Sequence, residues 1–340
     1  MSNKYIVINE PYKVEIKESE IPTPKKGETL LKILYGGICG SDLNTYRGTS
    51  AYVSYPRIPG HEFSGEIIEI EENGMGLKKG MLVTANPYFN CGECYSCQRG
   101  LVNCCTTNQT MGVQREGGFA YYIVMPIERL YPVGQLDAKT AALIEPFCIS
   151  YHGVKRADIK SGEKVLVVGG GTIGVLAMFS AKIAGAEVYI SDIAQGKLDL
   201  AKSLGADGII LNDGEDNFIK QVDEITKGNG FDVTIEAVGF PSTFQNCVDA
   251  ATFGGRIVVI GVGKKNLDFN FTLIQKKELT ILGSRNAVKK DFEEVIDIIN
   301  QNKFDITKII TNVYSFDEAA KSFEDFDKSI GSMLKVLLKF

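Results

Sequence analysis

Tryptophan is absent from this 340-residue chain, and histidine nearly so: His61 and His152 are the only two. Imidazole chemistry is thereby confined to two positions. No basic run exceeds two residues and the formal net charge is -5, so nucleic acid is not an expected partner. The longest apolar runs are about half of what a membrane span needs. Met1-Ser2-Asn3-Lys4-Tyr5 lacks the apolar core of a secretory signal, which makes a reducing, cytoplasmic setting the expectation. Eight cysteines in such a setting point to metal or thiol chemistry rather than disulfides. What is present, 44% hydrophobic and 23% charged residues, is the composition of a soluble globular protein. The length exceeds one ordinary core and predicts two domains.

Two constellations use the cysteines differently. Gly37-Ile38-Cys39-Gly40-Ser41-Asp42 and Pro59-Gly60-His61-Glu62 offer one thiolate, one imidazole and one carboxylate. Three unlike ligands with a position left open suit a catalytic zinc. His61 and Glu62 would face opposite ways in a regular strand, so both can ligate only if the chain turns there, and Gly60 permits such a turn. Glu145, in Leu143-Ile144-Glu145-Pro146, is a candidate fourth ligand or outer partner. The bland alternative is a buried free cysteine and a core histidine.

The second constellation is Cys91-x-x-Cys94-x-x-Cys97, with Cys105 eight residues later. Four thiolates at this spacing suit a closed, tetrahedral structural zinc. The stretch 86–109 has little regular pattern, and a metal clip would explain so long a loop. A redox dithiol would leave two cysteines unexplained, and Cys104 stands beside Cys105 as a rival ligand. Cys148 and Cys247 lie in apolar contexts and read as buried small hydrophobes.

The texture changes at Lys164. Val165-Leu166-Val167-Val168 reads as a buried strand that runs into Gly169-Gly170-Gly171-Thr172-Ile173-Gly174 and then an apolar helix. This is Gly-x-Gly-x-x-Gly between strand and helix, where backbone amides at a helix start can meet a pyrophosphate. Gly169, Gly171, Thr172, Ile173 and Gly174 are the candidate cofactor contacts. Val188-Tyr189-Ile190-Ser191-Asp192 follows, a strand ending in an acid 18 residues after Gly174. Asp192 can accept from a ribose hydroxyl and repels a 2′-phosphate, which predicts NAD over NADP; Lys197 nearby opposes that preference.

The rest of the chain frames these sites. The first 150 residues read as short strands with glycine turns. Further strands are expected at 208–211, 231–237, 256–260 and 279–282, separated by helices, and this alternation implies a doubly wound parallel sheet. Arg285 follows the last of them, where such sheets place ligand contacts, and is a candidate substrate residue. A helix is expected over 138–151 with an interruption at Pro146. Asp291 with Glu294, and Ser315 with Glu318, read as capping boxes. Residues 332–340 read as a strand returning to the first domain. The expected fold class is therefore α/β plus β.

Five motifs in register (37–42, 60–62, 91–105, 145–146 and 169–174) resemble the zinc-dependent medium-chain alcohol dehydrogenases, in their polyol and sugar dehydrogenase branch. The resemblance covers essentially the whole chain. It implies a GroES-like β domain over 1–150 carrying a zinc lobe at 86–109, an inserted Rossmann domain over 151–284, and a C-terminal return over 285–340. It also implies two zinc ions per chain. Cys39, His61 and Glu62 would ligate the catalytic one, with Glu145 a ligand in some states and an outer partner in others. Cys91, Cys94, Cys97 and Cys105 would hold the structural one. Such proteins are usually homodimers or homotetramers.

Tyr55-Pro56-Arg57 and Gly283-Ser284-Arg285-Asn286-Ala287 are similar to the sugar-acid dehydrogenases, among them L-gulonate, L-galactonate and L-idonate 5-dehydrogenases. Threonine dehydrogenases are less similar, since their Tyr-Glu-Trp-Asp-type stretch is absent. Sorbitol, galactitol-phosphate and butanediol dehydrogenases remain alternatives, as does a non-catalytic NAD sensor. The implied reaction is hydride transfer from a secondary hydroxyl carbon to NAD, with Ser41 relaying the proton. Relatives place a histidine three residues after that serine; here Asn44, which cannot titrate, stands in its place.

Overall fold

The computed structural model describes residues 2–263, 265–329 and 331–340. They divide into two compact units, Met1–Glu145 with Val288–Phe340, and Pro146–Ala287. Among the described residues no helix is long and apolar enough to cross a membrane.

The first unit is built on a seven-stranded sheet whose spine is Glu28–Ile38. That strand pairs antiparallel with Glu62–Ile70 on one side and Lys335–Lys339 on the other, and also with Tyr122–Pro126. Alternation in Leu31-Lys32-Ile33 sends Leu31 and Ile33 into a core with Phe63, Ile67, Val83 and Leu130. The register with the C-terminal strand, Val336 opposite Ile38 and Leu337 opposite Gly37, matters most for chemistry. It brings Lys335 from the end of the chain to the Cys39 loop.

The second unit is a six-stranded parallel sheet in the order Gly208–Leu211, Glu187–Asp192, Lys164–Val168, Phe231–Glu236, Ala251–Val259 and Thr280–Gly283. Val165, Leu166 and Val167 are fully buried, as expected of a central parallel strand covered on both faces. Helices alternate with the strands, including Thr172–Ile183, Gln195–Ser203, Glu215–Thr226 and Pro241–Ala250. The strand order reverses direction beside Lys164–Val168, the switch point at which such sheets bind ligands. The fold is thus a GroES-like β domain plus a Rossmann-type parallel sheet.

Two local expectations need correction. The stretch 138–151 is two helices, Ala138–Ala141 and Ile144–Arg156. The break precedes Pro146, which sits in the first turn of the second helix where a missing N–H costs nothing. Asp291 does not open its helix. The helix runs Lys289–Asn300, and Asp291 reaches back to the N–H of Val288. Ser315 and Glu318 do form a reciprocal cap.

Candidate metal centre and dinucleotide turn

Cys39 follows the spine strand and caps the helix Gly40–Tyr46. Asp42, three residues on, accepts from the Cys39 N–H at 2.9 Å and, with its other oxygen, from the Gly60 N–H at 3.1 Å. One buried carboxylate therefore ties the cysteine loop to the His61 loop. Gly60 has φ +98°, and a Cβ there would collide with Phe119, so only glycine makes this turn. The turn leaves His61 just outside the strand Glu62–Ile70, and the alternation of a regular strand no longer separates the two side chains. Ligand atoms of Cys39, His61 and Glu62 all lie within 4.8 Å of one another. His61 and Glu62 are buried and Cys39 is half-buried.

The donor set fits a divalent metal. His61 Nδ1 is buried with no hydrogen-bond partner, Asp42 Oδ1 standing 3.9 Å away. Burial pulls the His61 pKa down, but Asp42 and the Cys39 sulfur outweigh burial and hold it well above the ordinary value. Cys39, Asp42 and Glu62 thus concentrate negative charge around the imidazole, which a cation would neutralise. Ser41 Oγ is 3.5 Å from His61 Nε2.

Two buried residues that the sequence reading did not single out complete the centre. Lys335 Nζ donates to Glu62 Oε2 at 2.5 Å and to the Ile38 carbonyl at 3.3 Å. Burial lowers the Lys335 pKa, but Glu62 and Cys39 outweigh it and the net shift is upward. Tyr88 donates its hydroxyl to Glu145 Oε1. Glu145 is buried and stands outside the Cys39–His61–Glu62 set, yet near enough for His61 and Glu62 to act on its charge. Burial is the main cause that pushes Glu145 up to about 7. A lysine at the head of the apolar run Val336-Leu337-Leu338 was the available signal for Lys335, and Tyr88 had none.

The four-cysteine lobe gathers Cys91, Cys94, Cys97 and Cys105, again within 4.8 Å, and Cys104 is not in the set. Backbone amides point at sulfur: Cys91 N–H to Cys105 Sγ and Cys94 N–H to Cys91 Sγ, each 3.3 Å. Backbone amides of Cys97 and Thr106 draw the Cys94 thiol down to about 5, whereas burial pushes Cys97 up to about 11. Cys148 and Cys247 are fully buried, away from both sets.

In the parallel-sheet unit, a Cβ on Gly174 would lie 1.8 Å from the Gly169 carbonyl oxygen, which is why helix and strand can pack so closely. A Cβ on Gly171 would meet nothing within 4 Å. The space before the helix Thr172–Ile183 is therefore open to a pyrophosphate, and Thr172 and Ile173 open that helix. Asp192 Oδ2 accepts from the Gly170 N–H at 2.7 Å and Oδ1 from Ala194 N–H at 2.9 Å, so the acid is oriented by the turn itself. Lys197 Nζ lies 3.8 Å from Asp192 Oδ2.

Other candidates have plainer surroundings. Arg285 is exposed, just beyond the edge strand Thr280–Gly283, and belongs to this second unit. Arg57 is buried and its guanidinium is engaged by Glu116 at 3.0 Å and Ser54 at 3.1 Å. Asn44 Oδ1 accepts from Thr49 Oγ1 at 3.3 Å.

A candidate metal centre of mixed donors in a β unit, with a glycine-rich turn in a parallel-sheet unit, is the arrangement of a dehydrogenase of the two-domain, metal-assisted class. Comparison with known proteins agrees. Residues 25–135 match the alcohol dehydrogenase GroES-like domain and residues 172–301 match the zinc-binding dehydrogenase domain. The L-galactonate-5-dehydrogenase of Escherichia coli (strain K12) is 36% identical over 320 residues, covering 94% of each chain. A crystal structure described as short chain alcohol dehydrogenase (rspB) from E. coli CFT073, complexed with NADH, superimposes with TM-score 0.92 at 33% identity, covering 100% of this chain and 99% of that one. A putative zinc-binding dehydrogenase from Sinorhizobium meliloti 1021 bound to NADP gives TM-score 0.92 at 29% identity over 100% of both chains. This chain belongs to the zinc-type medium-chain dehydrogenases, in their polyol dehydrogenase branch.

Proposed function

We propose that this protein oxidises a secondary hydroxyl of a sugar acid or polyol to the ketone, with NAD as acceptor, and that its substrate class is the 5-hydroxy sugar acids of the L-gulonate and L-galactonate type. The observation that carries the reading is the convergence of Cys39, His61 and Glu62 around one point, with an orphaned buried imidazole nitrogen among them. Zinc held by these three residues would polarise the hydroxyl and favour loss of its proton, while the nicotinamide takes the hydride. The chain's own part is to orient and to move the proton. Ser41, 3.5 Å from the His61 ring, accepts the hydroxyl proton and passes it towards solvent or the nicotinamide ribose. Asn44 cannot titrate and takes no part as a base. The substrate class is supported by the resemblance to L-galactonate-5-dehydrogenase.

Asp192, fixed by Gly170 and Ala194, supports NAD, since a carboxylate at the ribose repels a 2′-phosphate. Lys197 at 3.8 Å weakens that repulsion, and an NADP-bound relative exists, so both cofactors belong in the test. Zinc-loaded protein is supplied with NAD or NADP and with sugar acids, neutral polyols, sugar-alcohol phosphates, short diols and threonine, and reduced cofactor is followed by its absorbance. The expected result is chelator-sensitive reduction of NAD with a 5-hydroxy sugar acid. Turnover with neutral polyols alone would discard the substrate class and keep the chemistry. Zinc and NAD bound, with no turnover on any compound, would overturn the enzyme reading.

A further inference from the structure

We propose that Tyr88 is the positioning residue that keeps Glu145 outside the ligand set of the metal centre, and that the base of the four-cysteine lobe is its mount. The proposal rests on the metal reading of the Cys39–His61–Glu62 site. Tyr88 is buried, and its hydroxyl is spent on Glu145 Oε1. Nothing covalent or helical fixes a tyrosine at this point: the strand Tyr88–Phe89 has only two residues. Its rigidity is borrowed. The strand pairs with Gln109–Thr110, so the ladder closes the neck of the loop that carries all four cysteines. At that neck Cys91 and Cys105 are tied, with Cys91 N–H donating to Cys105 Sγ at 3.3 Å and the two sulfurs 3.6 Å apart. Arg129 donates to the Tyr88 carbonyl at 2.5 Å and lies over the Phe89 ring at 4.2 Å, with Arg115 over the same ring at 3.6 Å.

The consequence for the centre is geometric. Glu62 and Glu145 are two carboxylates near one metal position, and only Glu62 has an oxygen within the tight set. A carboxylate released beside a divalent cation moves to it, because opposite charges attract strongly where water is excluded. Glu145 therefore needs a partner that competes with the metal, and the Tyr88 hydroxyl is the one observed. On this account the lobe acts at a distance as well as locally: by holding the neck, it holds the hydroxyl that holds Glu145.

The test uses full-length protein with zinc in the lobe and cobalt(II) in the mixed site, read by its visible ligand-field bands and by chelator competition. Tyr88→Phe keeps the ring and removes the hydroxyl. The expected result is weaker bands, as Glu145 joins and the coordination number rises, with cobalt held about tenfold more tightly, the lower end of what an outer partner contributes. Adding Glu145→Gln to that variant should restore the original spectrum. Glu145→Gln alone should leave the resting spectrum unchanged, and this arm serves if Tyr88→Phe does not fold. Unchanged bands and affinity in a folded Tyr88→Phe protein, or altered bands in Glu145→Gln alone, would overturn the proposal. A wild-type protein that takes up cobalt only in the lobe would remove the metal reading itself, a different failure with a different signature.

Discussion

The four-cysteine lobe and the Cys39 centre lie in one unit, yet they are held in opposite ways. The lobe uses four like ligands on a loop, stiffened by backbone amides aimed at sulfur, with Cys91 exposed. Its electrostatics are local, and no lysine or carboxylate belongs to the set. The Cys39 centre uses three unlike ligands in the interior and surrounds them with Asp42, Lys335, Glu145 and Tyr88. A closed thiolate set can only hold chain together. A mixed set of three donors with several charged outer partners concentrates charge and, with a metal bound, would leave a position for substrate, which is what polarising a substrate requires. The difference teaches that the surroundings, more than the ligands, separate a staple from a reactive centre.

That contrast breaks if both sites respond alike to loss of a ligand. Cys94→Ser should lose one zinc per chain and lower the melting temperature sharply, since structural zinc contributes up to ~10–16 kcal/mol in small zinc peptides. Cys39→Ser should also lose one zinc, but melt near the parent temperature and lose more than the ~100-fold that removal of an outer partner costs in activity. Metal content, melting curves and turnover read all three quantities. A Cys39→Ser protein that melts as low as Cys94→Ser would make both sites structural.

Much of this was legible in the chain. The two sheets could be read because a covered parallel strand is a continuous apolar run, as in Val165 to Val168, whereas Leu31-Lys32-Ile33 alternates. Cys39, His61 and Glu62 could be proposed because their donor chemistry is rare and the turn at Gly60 is marked by its glycine. Lys335 and Tyr88 were not legible, because each meets its carboxylate through pairing between distant segments. Lys335 is 273 residues from Glu62 and Tyr88 is 57 from Glu145. No local pattern encodes such a meeting; it follows from the register of the C-terminal strand against Glu28–Ile38 and from the ladder at the lobe's neck. The misplaced helix starts near Pro146 and Asp291 have a local cause: the same residue types serve as a cap or a first-turn residue.

Lys335 offers the next-largest test, because it neutralises a buried carboxylate that a metal could neutralise instead. Lys335→Met leaves Glu62 unpaired in the metal-free protein. Breaking such a buried pair typically costs ~3–5 kcal/mol. Zinc should restore most of that loss, since the cation takes over the charge. Urea unfolding of parent and variant, each with and without zinc, therefore should show a variant destabilised chiefly in the metal-free state. Equal destabilisation in both states would mean that Lys335 contributes packing rather than charge.

The smallest expected effect concerns pH, and its sign distinguishes the interior centre from the surface lobe. Burial holds Glu145 at about 7, above the ordinary 4.5, so the metal-free native protein keeps a proton there that the unfolded chain releases. Between about pH 4.5 and 7 the native state binds more protons, and the Glu145 contribution to stability falls as pH rises. Glu145→Gln removes that contribution. The stability of the variant minus that of the parent, both metal-free, should grow between pH 5 and 7, by an amount worth a few degrees of melting temperature at roughly 2–4 °C per kcal/mol. In zinc-loaded protein the cation favours the carboxylate, and the growth should shrink or vanish. His61, also held above its ordinary value, contributes stability that is complete below about 6.5 and lost at higher pH; the Glu145 charge is one of its causes, so Glu145→Gln trims this contribution too, and the loss acts in the same direction on the difference. A difference that is flat in the metal-free state would place Glu145 in water rather than in the buried centre, and the contrast with the lobe would lose its electrostatic half.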